Sequence, residues 1–438
     1  MKRILFSLLI IFSVATGSCT STKPMDQPTE NISIPVSAET ITPIPKENPS
    51  LVCDSVSEIP AEECKALVAL YLHTNGENWN TNYEEWLDRE LWLTTNTPCS
   101  WGGIVCKNGH VIEISLGGMN QWNGPGEVPA EISALTELNK LNLANNNLST
   151  VSPEIGKLTK LTELHLGFNN LRSLPPEINN LVILTSLSLA DNDLDNFPLI
   201  SNLAHLTGLG LSENNLSSVP PWIGNLTKLE GLSLDRNNLS SLPPEIGKLT
   251  KLTGLGISGN KLRSLPPEIG ALTNLTELFA SENDLTSLPA EIGNWTNLIH
   301  LYLSNNELVS LPAEIGDLKK LTELYVENNH LSSLPSEIGN LTELDYLVVS
   351  NNDLTSVPPE IGKINGLVLL YLDGNNLSDV PLEFRGLTNL SEIFLSDNNI
   401  TSLPTELCAV FSKVVYPQSL CASNYAQKLL STFTRPTL

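Results

Sequence analysis

The side chains that most often perform catalysis are present in this 438-residue sequence, but their spacing does not converge on a reaction. The six histidines form neither an HExxH motif nor a close pair, whereas a catalytic centre needs a nucleophile, a base or metal ligands that meet in a pocket. Glycine pairs such as Gly254 and Gly256 lack the strand-to-helix turn of a phosphate loop. We expect the many acidic side chains to be solvated, without the burial that raises a carboxyl pKa for general-acid catalysis. The sequence therefore predicts a protein that is not an enzyme and that uses no cofactor or metal ion.

Cysteine is the residue type whose spacing does suggest chemistry. Six of the seven cysteines fall into three local pairs, Cys53 with Cys64, Cys99 with Cys106, and Cys408 with Cys421. An exported compartment favours these disulfides, although the first four of these cysteines allow three connectivities. A zinc site is the alternative, but no histidine stands at ligand spacing. We expect each disulfide to close one end of the fold and to contribute about 2 to 3 kcal/mol to the free energy of unfolding.

A repeated pattern of 23 residues determines where the other side chains lie. The motif LxxLxLxxNxL occurs twelve times between Leu138 and Ile400, with one interval of 22 residues. A repeat of this length is a strand plus a return segment, and it buries its leucines only by stacking on its neighbours. We expect the asparagine of each repeat to be buried and to bond to backbone groups that the turn leaves unpaired. This asparagine ladder comprises Asn146, Asn169, Asn192, Asn214, Asn237, Asn260, Asn283, Asn306, Asn329, Asn352, Asn375 and Asn398.

The return segments read SLPPEIGKLTK, as from Ser241 to Lys251. Pro244 suits the first turn of a helix, and Glu245 favours the positive end of that turn. These residues predict a turn or two of α-helix, or a tighter 3₁₀ segment. We expect Gly247 to let the chain bend freely, and Asn179, at the equivalent position of another repeat, to tolerate a left-handed conformation.

These repeats resemble leucine-rich repeats, and SLPPEIGKLTKL resembles the Ras-group class in particular, over roughly residues 99 to 407. The resemblance implies an α/β fold: a leucine-rich-repeat solenoid, which is a right-handed superhelix shaped as a horseshoe, with disulfide-linked caps. It also implies a concave parallel β-sheet, short helical or 3₁₀ convex segments, and a concave surface that binds proteins, peptides or glycans.

The segment before the repeats also resembles a known module. CSWGGIVC, from Cys99 to Cys106, follows a predicted helix that stops between His73 and Gly76, and it resembles the N-terminal cap of plant-type extracellular receptors. We expect Trp101 to pack over the end of the core. Met119 stands where a ladder asparagine is expected, so we interpret the first repeat as a transition coil.

One column of the predicted sheet distinguishes the two halves of the repeat array. Because strand side chains alternate, the residue between the second and third leucines faces outward on the concave side. The first six positions of this column contain no aromatic ring: Asn142, His165, Ser188, Gly210, Ser233 and Gly256. The last six contain five: Phe279, Tyr302, Tyr325, Val348, Tyr371 and Phe394.

Acidic side chains flank the rings in the second half, whereas bases in equivalent places, Lys140, Arg236 and Lys261, lie only in the first half. The strands that carry the rings span roughly 24 Å, the length of about seven extended residues or a short glycan. We predict that this patch binds a basic or sugar-containing ligand; the alternative is that the rings only stabilise the strands by stacking. The predicted ligand-binding residues are Phe279, Tyr302, Tyr325, Tyr346, Tyr371, Phe394, Glu277, Glu323, Glu327 and Asp373.

The N-terminus has the features of an export signal. Residues 1–18 combine a basic start, an apolar run and small residues before Cys19. Residues 16–19 resemble a bacterial lipobox, which implies acyl chains such as palmitate on Cys19; the alternative is an ordinary signal peptide and a secreted protein. The predicted organisation continues with a Thr/Ser/Pro-rich tether, a cysteine-containing cap, the solenoid of one degenerate and twelve full repeats, and a C-terminal cap, at residues 19–50, 51–110, 111–406 and 407–438.

Formal charge limits the partners further. The chain carries a net charge of −24, so we expect no nucleic-acid partner, and membrane contact only through the lipid anchor. We predict a binding or adhesion protein of the bacterial cell envelope that recognises a protein, peptide or glycan. The alternatives are an exported structural scaffold without a defined ligand patch, and a cytoplasmic signalling adaptor of the kind that the Ras-group resemblance implies.

Overall fold

The computed structural model describes residues 53–79, 92–118, 126–411 and 421. The predicted signal peptide, Cys19, the tether and Met119 lie outside these residues. The chain divides into two compact units, Met1–Asn169 and Asn170–Leu438. Within the described ranges, no helix is long and apolar enough to cross a membrane.

The first unit begins with helix α1 (Ala61–His73), which ends where the sequence predicts. Its strands are β1 (Ile104–Lys107), β2 (His110–Ser115), β3 (Gly126–Val128), β4 (Lys140–Asn142), β5 (Leu148–Val151) and β6 (Glu163–His165). Strands β2, β4 and β6 are parallel neighbours, and β3 pairs with β5 in a separate small sheet. Short 3₁₀ helices cover Gly76–Asn78, Pro98–Ser100, Ala130–Ala134 and Pro153–Lys157.

The predicted parallel sheet is confirmed, and strand β1 adds one antiparallel pairing at its edge, with β2. The connecting residues Asn108 and Gly109 both have positive φ, at 53° and 78°. Two such residues form the tight turn that matches the twist of a β-hairpin, and Asn-Gly is its strongest sequence signal. Strand β1 of this hairpin hydrogen-bonds to the edge of β2 that faces away from the repeats. Without β1, that edge would have no neighbouring strand.

The second unit repeats one arrangement, in which a three-residue strand is followed by a return segment. Its strands are β7 (Ser186–Ser188), β8 (Gly208–Gly210), β9 (Gly231–Ser233), β10 (Gly254–Gly256), β11 (Glu277–Phe279), β12 (His300–Tyr302), β13 (Glu323–Tyr325), β14 (Tyr346–Val348), β15 (Leu369–Tyr371) and β16 (Glu392–Phe394). These ten strands are parallel neighbours in chain order. Helix α2 (Thr405–Phe411) follows the last of these strands.

The return segments are 3₁₀ helices, the tighter of the two predicted forms. Those of the second unit cover Pro176–Asn180, Pro221–Asn225, Pro244–Lys248, Pro267–Ala271, Ala290–Asn294, Ala313–Asp317, Ser336–Asn340, Pro359–Lys363 and Leu382–Gly386. Five of them carry proline at the first helical position, where its fixed φ fits and its missing N–H costs no bond; the others begin with alanine, serine or leucine.

The core consists of the repeated leucines and the asparagine ladder. In a typical repeat, Leu321, Leu324 and Leu331 are fully buried, and Asn329 is 5% exposed. The Asn329 amide donates to the carbonyl oxygens of Leu303, Val326 and Glu327 at 3.0, 3.1 and 3.3 Å. Its Oδ1 accepts the Leu308 N–H at 3.0 Å. Each ladder residue thus joins its own turn to the preceding repeat.

The prediction that Gly247 and Asn179 supply left-handed bends is wrong, because both lie inside 3₁₀ helices. The positive φ falls instead on the residue directly before each ladder asparagine, as at Asn328, where φ is 54°. That conformation turns the Asn328 N–H toward the next repeat, where Ser350 O accepts it at 3.0 Å. Glycine is needed at 247 because the next return segment packs against it: a Cβ there would lie 2.3 Å from Glu268 O.

Three disulfides lie near the ends of the described chain. They join Cys53 to Cys64, Cys99 to Cys106, and Cys408 to Cys421, with Cα–Cα distances of 5.6, 5.5 and 5.8 Å. In the first unit, Trp101 is 1% exposed and its ring lies 4.9 Å from that of Trp92. Buried Glu63 on α1 accepts the Val111 N–H of β2 at 2.8 Å, which fixes the helix against the sheet.

Candidate functional site

The candidate site is the outward surface of strands β11–β16, here called the aromatic face. In each of these strands the middle residue is buried, and at least the first residue is partly exposed. The third residues align in register across neighbouring strands, pairing Phe279 with Tyr302, Tyr302 with Tyr325, Tyr325 with Val348, Val348 with Tyr371, and Tyr371 with Phe394. Parallel pairing without a register shift therefore places all five rings of the predicted column on one surface.

The rings form two groups on either side of Val348. Phe279 and Tyr302 stack with centroids 5.0 Å apart and planes 6° apart, and Tyr325 continues the stack 5.0 Å beyond Tyr302. Tyr371 and Phe394 meet edge to face, with centroids 4.6 Å apart. Val348 is 7% exposed and Phe394 is 37% exposed, so the column has a buried gap and an accessible end.

Two of the tyrosines donate hydrogen bonds to carboxylates. The Tyr302 hydroxyl donates to Glu323 Oε2 at 2.5 Å, and the Tyr371 hydroxyl donates to Glu392 Oε2 at 3.0 Å. Burial, and secondarily these carboxylates, raises the pKa of both phenols. Burial, followed by repulsion from Glu323 and Glu327, raises the pKa of Tyr325 to about 12. The three phenols therefore stay protonated in the physiological range and act as neutral hydrogen-bonding groups.

The flanking column, formed by the first residues of the strands, carries two of the predicted acidic residues, Glu277 and Glu323. Glu277, His300, Glu323 and Tyr346 lie in register on β11–β14. His300 Nδ1 lies 3.7 Å from Glu277 Oε1, and His300 Nε2 lies 4.0 Å from Glu323 Oε1. The pairing with Glu277 outweighs desolvation and raises the pKa of His300.

Glu327 and Asp373 follow the rings by two residues, at the end of their strands. Asp373 Oδ1 accepts the Ser350 hydroxyl at 2.6 Å. Glu327 is partly buried, and burial raises its pKa despite a hydrogen bond from Ser304. Its Oε2 atom is buried without a hydrogen-bond partner among the described residues. The structure thus brings all ten predicted ligand-binding residues onto one face; that they bind a ligand stays a prediction.

Asp235 is a buried acid that the sequence interpretation missed. It lies at the position equivalent to Glu327 and is 5% exposed. Its carboxylate accepts the Ser233 hydroxyl and the Ser258 N–H, both at 2.8 Å, and burial raises its pKa. The expectation that the acids of the sheet are all solvated is therefore wrong for Asp235 and Glu327. The carboxylate occupies the space over Gly256, where a Cβ would lie 2.2 Å from Asp235 Oδ2.

Comparisons with family models identify the repeats. Residues 190–282 and 245–329 match a model described as a leucine-rich repeat region, and residues 136–194, 342–400 and 320–341 match leucine-rich repeat models. No curated protein matches the sequence.

Solved structures share the fold. A leucine-rich-repeat protein of Leptospira interrogans is 37% identical, with a TM-score of 0.62, over 66% of this chain and 75% of that one. A chain in the crystal structure of PEPR1–AtPEP1 is 29% identical, with a TM-score of 0.68, over 81% of this chain and 54% of that one. An internalin of Listeria monocytogenes is 26% identical, with a TM-score of 0.60, over 71% of this chain and 90% of that one. The chain belongs to the leucine-rich-repeat family, and its parallel sheet with 3₁₀ return segments is a leucine-rich-repeat solenoid.

Proposed function

We propose that this protein is a non-enzymatic binding protein that recognises a protein, peptide or glycan through the aromatic face. The observation that carries the proposal is the confinement of the rings to six adjacent strands. On β8–β10 of the same unit, the outward positions are held by Gly208, Gly210, Gly231, Gly254 and Gly256, with Ser233. Parallel strands of this fold therefore form without aromatic residues, and a contiguous, partly exposed ring cluster is typical of an interaction site. The likeness to chains solved as PEPR1–AtPEP1 and as the Toll–Spatzle complex supports a peptide or protein ligand.

Alanine substitution tests this proposal. Arrays of peptides, glycans and envelope proteins are probed with the wild-type protein and with a Tyr302→Ala/Tyr325→Ala double variant. We expect the double variant to lose at least about tenfold in affinity, since buried aromatic contacts dominate interface energies. Phe168→Ala is the matched control, because Phe168 is an aromatic residue that is 57% exposed and lies outside the aromatic face. Unchanged capture of every ligand by the double variant would overturn the proposal and favour a scaffold that uses its other surfaces.

We further propose that the chain is exported, that residues 1–18 are removed, and that lipid on Cys19 anchors it to a cell envelope. We also propose the domain limits that the sequence predicts: an N-terminal cap at 51–110, the repeats at 111–406 and a C-terminal cap at 407–438. Three disulfides support export, because reducing compartments rarely keep such bonds. Intact-mass measurement of the protein made in a bacterial host tests this step: we expect a chain that begins at an acylated Cys19. Retention of residues 1–18 would instead favour a cytoplasmic adaptor.

A further inference from the structure

His300 is the one basic side chain at the outward positions of the aromatic face. It begins β12, and the outward positions of β11–β16, all of them within the described residues, hold no lysine or arginine. Glu277 on β11 and Glu323 on β13 lie beside it in register. The side chains of His300, Glu277 and Glu323 are 30%, 22% and 23% exposed, so a ligand on the face can reach all three. The charge of His300 therefore contributes directly to the charge that this part of the face presents to a ligand.

Each ring nitrogen of His300 lies near a different carboxylate. Nδ1 is 3.7 Å from Glu277 Oε1, and Nε2 is 4.0 Å from Glu323 Oε1. A neutral imidazole has one N–H and one lone pair, whereas the imidazolium has two N–H groups. Only the protonated ring therefore offers an N–H to both glutamates, since the neutral ring places a lone pair near one of them. Both carboxylates are paired while His300 carries its second proton, and they lose this partner when the proton leaves.

Glu323 connects this histidine to the ring cluster. Its Oε2 accepts the Tyr302 hydroxyl at 2.5 Å, and its Oε1 is the atom nearest His300 Nε2. The rings of His300 and Tyr302 have centroids 6.3 Å apart. Because one carboxylate contacts both side chains, protonation of His300 changes the electrostatic environment of Tyr302 as well as that of the glutamates.

The proton on His300 exchanges in the range where proteins work. The hydrogen bond with Glu277 is the largest influence and raises the pKa of His300 above 6.5, although burial opposes it. Glu323 acts in the same direction, and these two glutamates are the charged groups that face His300 from β11 and β13. A modest upward shift places the titration of a histidine near neutral pH.

We propose that His300 makes the aromatic face pH-sensitive: its imidazolium neutralises Glu277 and Glu323 in mildly acidic solution, and loss of the proton leaves both carboxylates to a cationic protein or peptide ligand. This regulation rests on the proposed function and concerns the same face. A cationic ligand competes with the proton for the two glutamates, so the ligand binds more tightly as pH rises through the His300 titration. Linkage requires the converse, in which a bound cationic ligand lowers the His300 pKa by the same coupling free energy.

A pair of short peptides tests this competition. The probe is an end-blocked hexapeptide of alternating glycine and lysine, and its counterpart with glutamine in place of lysine is the uncharged control. Binding to the full chain is followed between about pH 6 and about pH 8.5 through the ring resonances of ¹³C-labelled tyrosine and histidine. We expect the affinity for the lysine peptide to rise at least about fivefold over this range, without such a change for the glutamine peptide. A saturating amount of the lysine peptide should lower the midpoint of the His300 titration by the logarithm of the same ratio.

Two histidine variants give the second arm. His300→Gln keeps a hydrogen-bonding side chain without the charge, so it should bind the lysine peptide at every pH about as tightly as the wild type does at high pH. His330→Gln is the matched control. His330 also lies between two carboxylates, 3.0 Å from Glu307 and 3.4 Å from Asp353, but outside the strands of the aromatic face, so its loss should leave the pH dependence unchanged. The shift of the wild-type His300 midpoint tests the proposal without relying on how either variant folds.

Affinity that does not change with pH, or a pH dependence that survives His300→Gln, would overturn the proposal. A lysine peptide that leaves the Tyr302 resonances and the His300 midpoint unchanged at every pH would overturn it too. The proposed function has a separate readout, because Tyr302→Ala/Tyr325→Ala tests the capture of arrayed ligands at one fixed pH. An arrayed ligand whose binding depends on the rings but not on pH would retain the aromatic face as the binding surface and refute the role of His300.

Discussion

At the scale of single residues, two buried polar side chains of one repeat differ in whether their polar atoms have hydrogen-bond partners. Asn329 uses both atoms of its amide, since it donates to three carbonyl oxygens and accepts one N–H. Two positions earlier, Glu327 keeps one buried oxygen without a partner. Because buried polar groups are nearly always satisfied, Asn329 has the character of a structural residue, whereas Glu327 is an exception and is one of the residues that we propose for binding.

Asn329→Ala should destabilise the protein by about 2 to 4 kcal/mol, because the change leaves several buried backbone groups without partners. Chemical unfolding, monitored by circular dichroism, measures the loss. Asn340→Ala is the control, since Asn340 is exposed at the end of a return segment and should change stability by less than about 0.5 kcal/mol. Equal effects of the two substitutions would contradict a structural role for the ladder amide.

His300 provides a prediction about pH. Pairing with Glu277 raises the His300 pKa above its ordinary value of 6.5, so the pairing stabilises the folded state fully below pH 6.5. This contribution is lost as pH rises through the folded pKa. Histidine NMR titration should show that Glu277→Gln lowers the His300 pKa, whereas Glu337→Gln, on a distant return segment, leaves it unchanged. A His300 pKa that does not respond to Glu277→Gln would contradict the assignment.

At the scale of elements, close packing of return segments determines where glycine is required. The Gly247 position faces the backbone of the next return segment, where a Cβ would lie 2.3 Å from Glu268 O. The same contact recurs at Gly270, Gly316 and Gly339, with distances of 2.5 Å to the next glutamate's backbone oxygen. Glycine at this position therefore sets how near successive repeats approach each other.

Gly247→Ala should lower the free energy of unfolding by about 1 to 3 kcal/mol, because the added methyl group forces adjacent return segments apart. Gly366→Ala is the matched control: a Cβ there meets Thr342 O at an ordinary 3.5 Å, and its φ is not positive. Thermal unfolding of both variants checks the difference. If Gly366→Ala proved as harmful as Gly247→Ala, backbone flexibility would be the better explanation for glycine.

Strand order, the asparagine ladder and the alignment of the ring column could be predicted from the sequence, since a fixed period places equivalent residues in equivalent positions. The left-handed residue before each ladder asparagine was harder to predict. Asn, Asp and Gly hold that position in many repeats, but Phe168, Glu213 and Arg236 obscure the signal. Burial of Asp235 was beyond sequence analysis, because it depends on the side chain lying over Gly256 of the neighbouring repeat. The Asn108-Gly109 hairpin lies outside the repeat pattern, so only its local turn signal predicts it.

At the scale of the whole molecule, stability comes from contacts between neighbouring repeats. Hydrogen bonds of the ladder reach back one repeat, as from Asn329 to Leu303, and parallel strands pair with their immediate neighbours. In such a quasi-one-dimensional fold, terminal elements have a neighbour on one side only and open most readily. The disulfides lie near these ends, which suits cross-links that restrict local unfolding.

Reduction of the disulfides should therefore loosen the ends and spare the central repeats. Hydrogen exchange followed by mass spectrometry, with and without reductant, should show faster exchange at 53–115 and 392–411, and unchanged protection at β9–β12. Each disulfide that is lost should lower local stability by about 2 to 3 kcal/mol, from the loop entropy of cross-links of 11, 7 and 13 residues. A Cys53→Ser/Cys64→Ser double variant is the control: it should accelerate exchange at the N-terminal end alone, since the Cys408–Cys421 bond remains. Simultaneous loss of protection in all strands would mean that the repeats unfold as one cooperative body, and the nearest-neighbour account of stability would be wrong.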